Sequence, residues 1–213
     1  MELNLNGFIA DVNKEGMLLE NKFMVTFGAP NYLKTPNSPI SKYKDIYAQT
    51  ELLTLRCEAA SVPGLQFAGA DGPPRIGYGP IEFNPYNVVY DDIILTLALD
   101  AKGTVHKFFY DWMNCIVNFH SRGQSKLRDG DAGPVPGMVP YEVGYKDDYS
   151  APLTIGVYTG NEATPKPVME VKAYKAFPKA ITPLYLNWES GRPIKLQLDM
   201  AYTDYEIIYN SYP

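Results

Sequence analysis

Residues 194–209 read IKLQLDMAYTDYEIIY, and their alternation decides the fold. Ile194, Leu196, Leu198, Met200 and Tyr202 occupy every second position, with Lys195, Gln197, Asp199 and Thr203 in the gaps. In an extended chain successive side chains point to opposite faces, so this stretch is a strand with one wet and one buried side. It is the longest strand signal in the chain.

The same signature recurs upstream. DIILTLALD, residues 92–100, places Ile93, Leu95, Leu97 and Leu99 on one face. LLTLRCEAA, residues 52–60, sends Leu53, Leu55, Cys57 and Ala59 one way and Thr54, Arg56 and Glu58 the other. KFMVTF at 22–27 is a short strand stopped by Gly28-Ala29-Pro30. Further strands are expected at 81–90 (irregular, broken at Pro85), 149–158, 167–175 and 184–188, with a corner at Phe177-Pro178. The Gly- and Pro-dense residues 68–80 predict a loop.

Only residues 103–120 change period. Val105, Phe108, Phe109, Trp112, Ile116 and Phe119 fall at helical spacing and predict a helix of about five turns with one aromatic face. The fold class that follows is mainly β (α+β): a β-barrel or sandwich of about seven strands with one flanking helix. Residues 1–20 read as an N-terminal arm, and 21–213 as the β-barrel domain with loop extensions at 31–50 and 120–147. Loops of that length usually carry function. Tyr32, Tyr43 and Tyr47 give the first sticky aromatics, and Arg122, Lys126 and Arg128 make the second basic at its start.

Composition narrows the function classes. The formal charge of −5 argues against a protein that grips DNA through a basic surface. The 17 tyrosines suit half-buried strands and protein interfaces, since each pairs an apolar body with a polar tip. No apolar run approaches the ~18–20 residues that cross a bilayer. The start, MELNLNGFIADVNKEG, lacks the basic and apolar regions of a signal peptide, so assembly in a reducing cytoplasm is expected.

The chemistry-bearing residues form no recognisable constellation. The two histidines, His106 and His120, sit on or at the end of the helix. Cys115 is five residues from His120, but no third group orients the pair, and its place beside Trp112 and Ile116 reads as core. Cys57 alternates with leucines and reads the same way. Asp91-Asp92, Asp129-x-Asp131 and Asp147-Asp148 lack chelating spacing. The Gly72–Gly79 run has neither Walker nor Rossmann spacing. No catalytic residue, metal or cofactor is expected, and the chain reads as a non-enzyme.

The order of elements resembles one family. Asn21-Lys-Phe-Met-Val is followed by Leu55-Arg-Cys-Glu-Ala-Ala-Ser-Val-Pro-Gly64, Arg75-Ile-Gly-Tyr-Gly-Pro80 and Tyr90-Asp-Asp-Ile-Ile-Leu-Thr-Leu. Then come Lys107-Phe-Phe-Tyr-Asp-Trp112, Tyr174-Lys-Ala-Phe-Pro178, Leu184-Tyr-Leu-Asn-Trp188 and a strand ending in Ala-Tyr-Thr-Asp-Tyr205. Over about residues 21–205 the chain resembles the tail tube proteins of contractile phages, which include tube subunits and baseplate tube initiators. The resemblance implies a fold related to type VI secretion tube proteins. It implies homo-hexameric rings that stack into a channel, a tail sheath around it and baseplate or hub proteins at its end. DNA passes through without specific binding, no membrane is involved, and the mature protein resides in the virion tail.

On that reading the 92–99 and 194–202 strands bury the helix, and the polar strand faces line a wet lumen. Arg56, Glu58, Lys195, Gln197 and Asp199 are the lumen-facing candidates, and the 31–50 and 120–147 loops, with Tyr32, Tyr43, Tyr47, Arg122, Lys126 and Arg128, are the candidates for ring-to-ring contacts. Two other readings stand beside it: an initiator forming a single ring, and a monomeric ligand-binding β-domain using its tyrosines and tryptophans.

Overall fold

The computed structural model describes residues 18–28, 30–31, 53–54, 56–72, 82–117, 143–159, 166–188 and 191–210. The strands are β1 (Phe23–Phe27), β2 (Cys57–Ala60), β3 (Leu65–Gly72), β4 (Glu82–Tyr90) and β5 (Ile93–Ala98), followed by β6 (Ala151–Val157), β7 (Met169–Ile181), β8 (Lys195–Ala201) and β9 (Asp204–Tyr209). Two helices, α1 (Thr104–Ile116) and α2 (Lys146–Tyr149), lie between β5 and β6. Every strand pair is antiparallel.

Strand β7 organises the molecule. Its first half pairs with β6 and β9, and its second half, from Phe177, pairs with β8. One sheet therefore runs β1–β6–β7–β9 and the other β7–β8–β5–β2, with β7 shared. Lys175 adopts a left-handed conformation (φ 52°) where the strand passes from one sheet to the other. For a residue with a side chain that conformation costs about 1–2 kcal/mol, which the surrounding ladders offset. The corner expected at Phe177-Pro178 is thus a bend within a continuous strand.

The two sheets enclose one core. Ile93, Leu95 and Leu97 of β5 and Leu196, Leu198 and Met200 of β8 are all at most 1 % exposed. They join Val105, Phe108, Phe109, Trp112 and Cys115 of α1 in one buried cluster, with Ile116 half-buried beside it. Each fully buried large side chain contributes about 1.5–3 kcal/mol, so burial of the helix face is the main local source of stability. The Trp112 Nε1–H donates to the Tyr149 carbonyl at 2.7 Å, tying α1 to α2. Gly103 supplies the left-handed turn (φ 65°) into α1 that a side chain would disfavour. Asp100 accepts the Val105 N–H at 3.1 Å. Burial acts to raise the Asp100 pKa, but hydrogen bonds from Thr104 and Val105 outweigh it and hold the carboxyl at about 2.

Several expectations change. There are nine strands among the described residues, not about seven, and a second, short helix. The 194–209 signal is two strands, because the chain turns at Tyr202-Thr203 and β9 crosses to the first half of β7. Strand β2 starts only at Cys57. Leu53, Thr54 and Arg56 are helical, which buries Leu53 and lets the Thr54 hydroxyl donate to the Val25 carbonyl at 2.7 Å. A register shift between Cys57 and Ala59 breaks the expected alternation, so Ala59 is exposed while Cys57 packs on the core.

Helix α1 is shorter than predicted: it ends at Ile116, Val117 turns extended, and Phe119 lies outside the described residues. Residues 65–72, expected in part as loop, form β3, because ladder bonds to β4 stabilise a segment poor in large side chains. Pro85 does not break β4. The pairing skips Tyr86, a bulge, and continues. Residues 184–188 form no strand.

Candidate assembly surfaces

Sheet β7–β8–β5–β2 has a buried face and a polar one. Register sets Ile94 opposite Asp199, Thr96 opposite Gln197 and Ala98 opposite Lys195, all on the face away from the core. Ala59 of β2 extends the Thr96 row and Ala180 of β7 the Asp199 row. Lys195 Nζ lies 2.6 Å from Glu58 Oε2. Lys179 Nζ pairs with Asp92, and that hydrogen bond, aided by charge attraction, raises the lysine's pKa. Both lysines on this face are therefore paired with carboxylates. Asp199 Oδ1 is shielded and without a hydrogen-bond partner.

Four of the five lumen candidates, Glu58, Lys195, Gln197 and Asp199, come together here. Arg56 does not share the strand: it sits in the helical residues before β2. Tyr32, Tyr43, Tyr47, Arg122, Lys126 and Arg128 lie outside the described residues, as do most of the 1–20 arm and the 31–50 and 120–147 loops. Among the described residues β2 pairs only with β5, and the Phe177–Ile181 part of β7 only with β8. Among the described residues the sheet thus has an unpaired backbone edge at each side, which is a template for pairing with another chain.

Two apolar surfaces were missed by the sequence reading. The first is the β3–β4 ribbon, which forms its own two-stranded sheet. Its register aligns Leu65 with Tyr90 and Phe67 with Val88 on one face, and the bulge at Tyr86 keeps Gly69, Pro85 and Phe83 in that row. The Phe83 ring lies over Gly69, where a Cβ would clash with it. Leu65, Phe67 and Phe83 are each more than half exposed. At its base Tyr90 packs on Tyr202 and Tyr205, and the Tyr202 hydroxyl donates to the Asp91 carbonyl at 2.7 Å. The signal was the Leu-x-Phe alternation at 65–67, hidden by the small residues after it.

The second surface is the β7–β8 loop, where Tyr185, Leu186 and Trp188 are almost fully exposed. With Pro183, Pro193 and Ile194 these residues wall a cleft of about 1040 Å³ whose floor includes Thr96 and Gln197.

Burial pushes the Cys57 thiol up to about 11, which keeps it protonated and a poor nucleophile. Cys115 is buried. No cluster of three or more metal-ligating side chains occurs among the described residues.

Among the described residues the β-fold offers unpaired sheet edges, a polar wall and exposed apolar patches. The phage tail tube protein family matches residues 18–208, and the chain belongs to that family. No curated protein matches it. The fold is shared with a chain of the anti-feeding prophage baseplate at 11 % identity and TM-score 0.56, covering 91 % of this chain and 96 % of that one. A chain of the PVC sheath–tube complex, an extracellular contractile injection system in its extended state, gives 11 % and 0.56, covering 94 % and 97 %. The anti-feeding prophage tube-terminating cap gives 14 % and 0.54, covering 91 % and 92 %. Hcp1 from Flavobacterium johnsoniae superposes more loosely, at 8 % and TM-score 0.43, covering 90 % and 98 %.

Proposed function

We propose that this protein is the repeating subunit of a contractile phage tail tube. Six copies close into a ring by pairing the β2 edge of one subunit with the Phe177–Ile181 edge of the next. Rings stack into a tube inside the sheath, the polar face of β7–β8–β5–β2 lines the lumen, and DNA passes through during ejection. In the virion the protein resides in the tail.

One observation carries this reading: the same sheet has a buried apolar face, a polar outer face and, among the described residues, an unpaired edge on each side. Head-to-tail pairing of unlike edges closes a ring when the rotation fits, and it removes both aggregation-prone edges. The ion pairs on the polar face support passage of DNA. Affinity for DNA comes from free lysines and arginines that displace counterions, and Lys179 and Lys195 are already neutralised by Asp92 and Glu58. The chain's net charge of −5 acts in the same direction.

Electron microscopy of the purified protein tests the assembly. Long tubes are expected. Isolated rings support the single-ring initiator instead, and a persistent monomer at high concentration overturns both. The lumen assignment is tested with Gln197→Cys in assembled tubes. A small maleimide should label it, while a maleimide on a polymer wider than the bore should not. Equal labelling by both refutes the assignment.

A further inference from the structure

Strands β7, β8, β5 and β2 alternate in direction, so β2 runs opposite to the Phe177–Ile181 part of β7. Rotation about a ring axis preserves that sense, so β2 of one subunit meets β7 of the next as an antiparallel pair. The rows across the sheet give the level of each edge residue. Ala180 lies level with Asp199 and Ile94, and Ile181 with Leu198 and Leu95. Cys57 lies level with Leu97 and Leu196, which sets Arg56, one residue earlier, level with Ala98 and Lys195. Within one chain the Arg56 and Asp199 backbones thus stand four rows and two strands apart. That is about 16 Å at 3.3 Å per residue and 4.8 Å per strand, too far for an ion pair.

Closing a sheet into a barrel staggers its strands. At a tilt of about 36° the stagger is about one residue per strand, hence about four residues over the four strands that each subunit contributes. The two directions of stagger are not equivalent. One carries Ala60, level with Leu198, past the Lys195 row and clear of Ile181, so the two edges no longer overlap. The other brings Arg56 to the Asp199 row, beside Ala180, and Cys57 to the Met200 row, beside Pro178. An even offset keeps polar rows with polar rows and buried rows with buried rows.

The Asp199 row holds an unfilled acceptor. Asp199 Oδ1 is shielded and has no hydrogen-bond partner among the described residues, a state that costs free energy until a donor arrives. The neighbouring Lys179 ammonium is committed to Asp92. Ala180 stands between Asp199 and the edge with only a methyl side chain, so the two strand spacings across it, about 9.6 Å, are open to a long side chain. Arg56 makes no ion pair among the described residues. We infer that Arg56 of one subunit reaches over Ala180 of the next and donates to its Asp199 carboxylate, which fixes the register of the ring joint. This rests on the ring reading and names the charge pair that closes it. A guanidinium suits the task because its planar fork can give a carboxylate two parallel hydrogen bonds. The pair also neutralises one more cation on the wall that DNA passes.

The test is a charge swap in the full chain, read by light scattering and electron microscopy. Arg56→Asp and Asp199→Arg should each abolish rings and tubes, since each sets like charges together across the joint. The double variant Arg56→Asp with Asp199→Arg should restore them. The two positions are too far apart in one chain to pair there, so restoration reports a contact between subunits. Neutral variants guard against a swap that fails to fold, which far-UV circular dichroism would reveal. Arg56→Gln and Asp199→Asn should each raise the concentration needed for assembly about tenfold, and the two together no further than either alone. Single swaps that assemble like the wild type overturn the pair and leave the tube reading standing. So does a folded double swap that stays monomeric, and so do neutral variants whose effects add. Wild-type protein that never leaves the monomer overturns the ring reading and the pair with it.

Discussion

Replacing Trp112 removes the side chain on which the helix, the short α2 and the core all converge. Trp112 is 1 % exposed, stacks on Phe109 with ring centroids 6.1 Å apart and meets Phe108 edge-on at 5.7 Å. Its indole N–H also satisfies the Tyr149 carbonyl at 2.7 Å. Trp112→Ala loses the buried ring and leaves a cavity, which costs about 3–5 kcal/mol. It also strands the Tyr149 carbonyl, for a further ~1 kcal/mol or more. The total, about 4–6 kcal/mol, is comparable to the whole stability of a typical domain, about 5–15 kcal/mol. Trp112→Phe is therefore the more informative partner variant. It keeps an aromatic ring in the cluster but deletes the donor, and should cost about 1–3 kcal/mol. The assay is urea denaturation of unassembled protein followed by far-UV circular dichroism. Fluorescence is a poor probe, because the exposed Trp188 contributes alongside Trp112. A loss below about 1 kcal/mol for Trp112→Ala refutes the claim that α1 is held through this face.

Three further outcomes follow from the same geometry. Asp100→Ala should destabilise by about 1 kcal/mol, since the carboxylate caps Val105. The Asp100 pKa is lowered to about 2, so its contribution is full above about pH 4 and fades as pH falls through 2. A pH titration of the melting temperature should show that slope in the wild type and a smaller one in Asp100→Asn. Thr54→Val keeps the shape at the β1–β2 seam but removes the donor to Val25, and should cost about 1 kcal/mol by urea denaturation. Lys195→Glu sets two carboxylates together at Glu58, yet exposure limits the effect on subunit stability to about 1 kcal/mol; a loss several times larger would show that the pair is buried in the subunit.

The sequence carried the core because alternation and helical spacing are local. Ile93, Leu95, Leu97, Leu196, Leu198 and Met200 are the inward faces of β5 and β8, as period two dictates, and Phe108, Phe109 and Trp112 line the buried stripe of α1. The polar wall was legible for the same reason: Lys195, Gln197 and Asp199 alternate with the leucines. Arg56 fell off it because Leu53 and Thr54 find their best partners, the core and the Val25 carbonyl, only from a helical turn. Alternation in 52–60 held no information about that competition.

Sequence by itself determined which side chains are inside, the mainly β class with its one long helix, and the ordered motifs that resemble tail tube proteins. Only the tertiary structure decided that β7 bends from one sheet into the other, that 194–209 divides between them, and that Phe67 and Trp188 stand exposed at opposite ends of one sheet. The physical reason is range. Periodicity is fixed by bonds a few residues long, whereas ladder partners, register shifts and the placing of loops depend on contacts between distant segments. Those contacts are settled by which pairing buries the most apolar surface while satisfying the backbone.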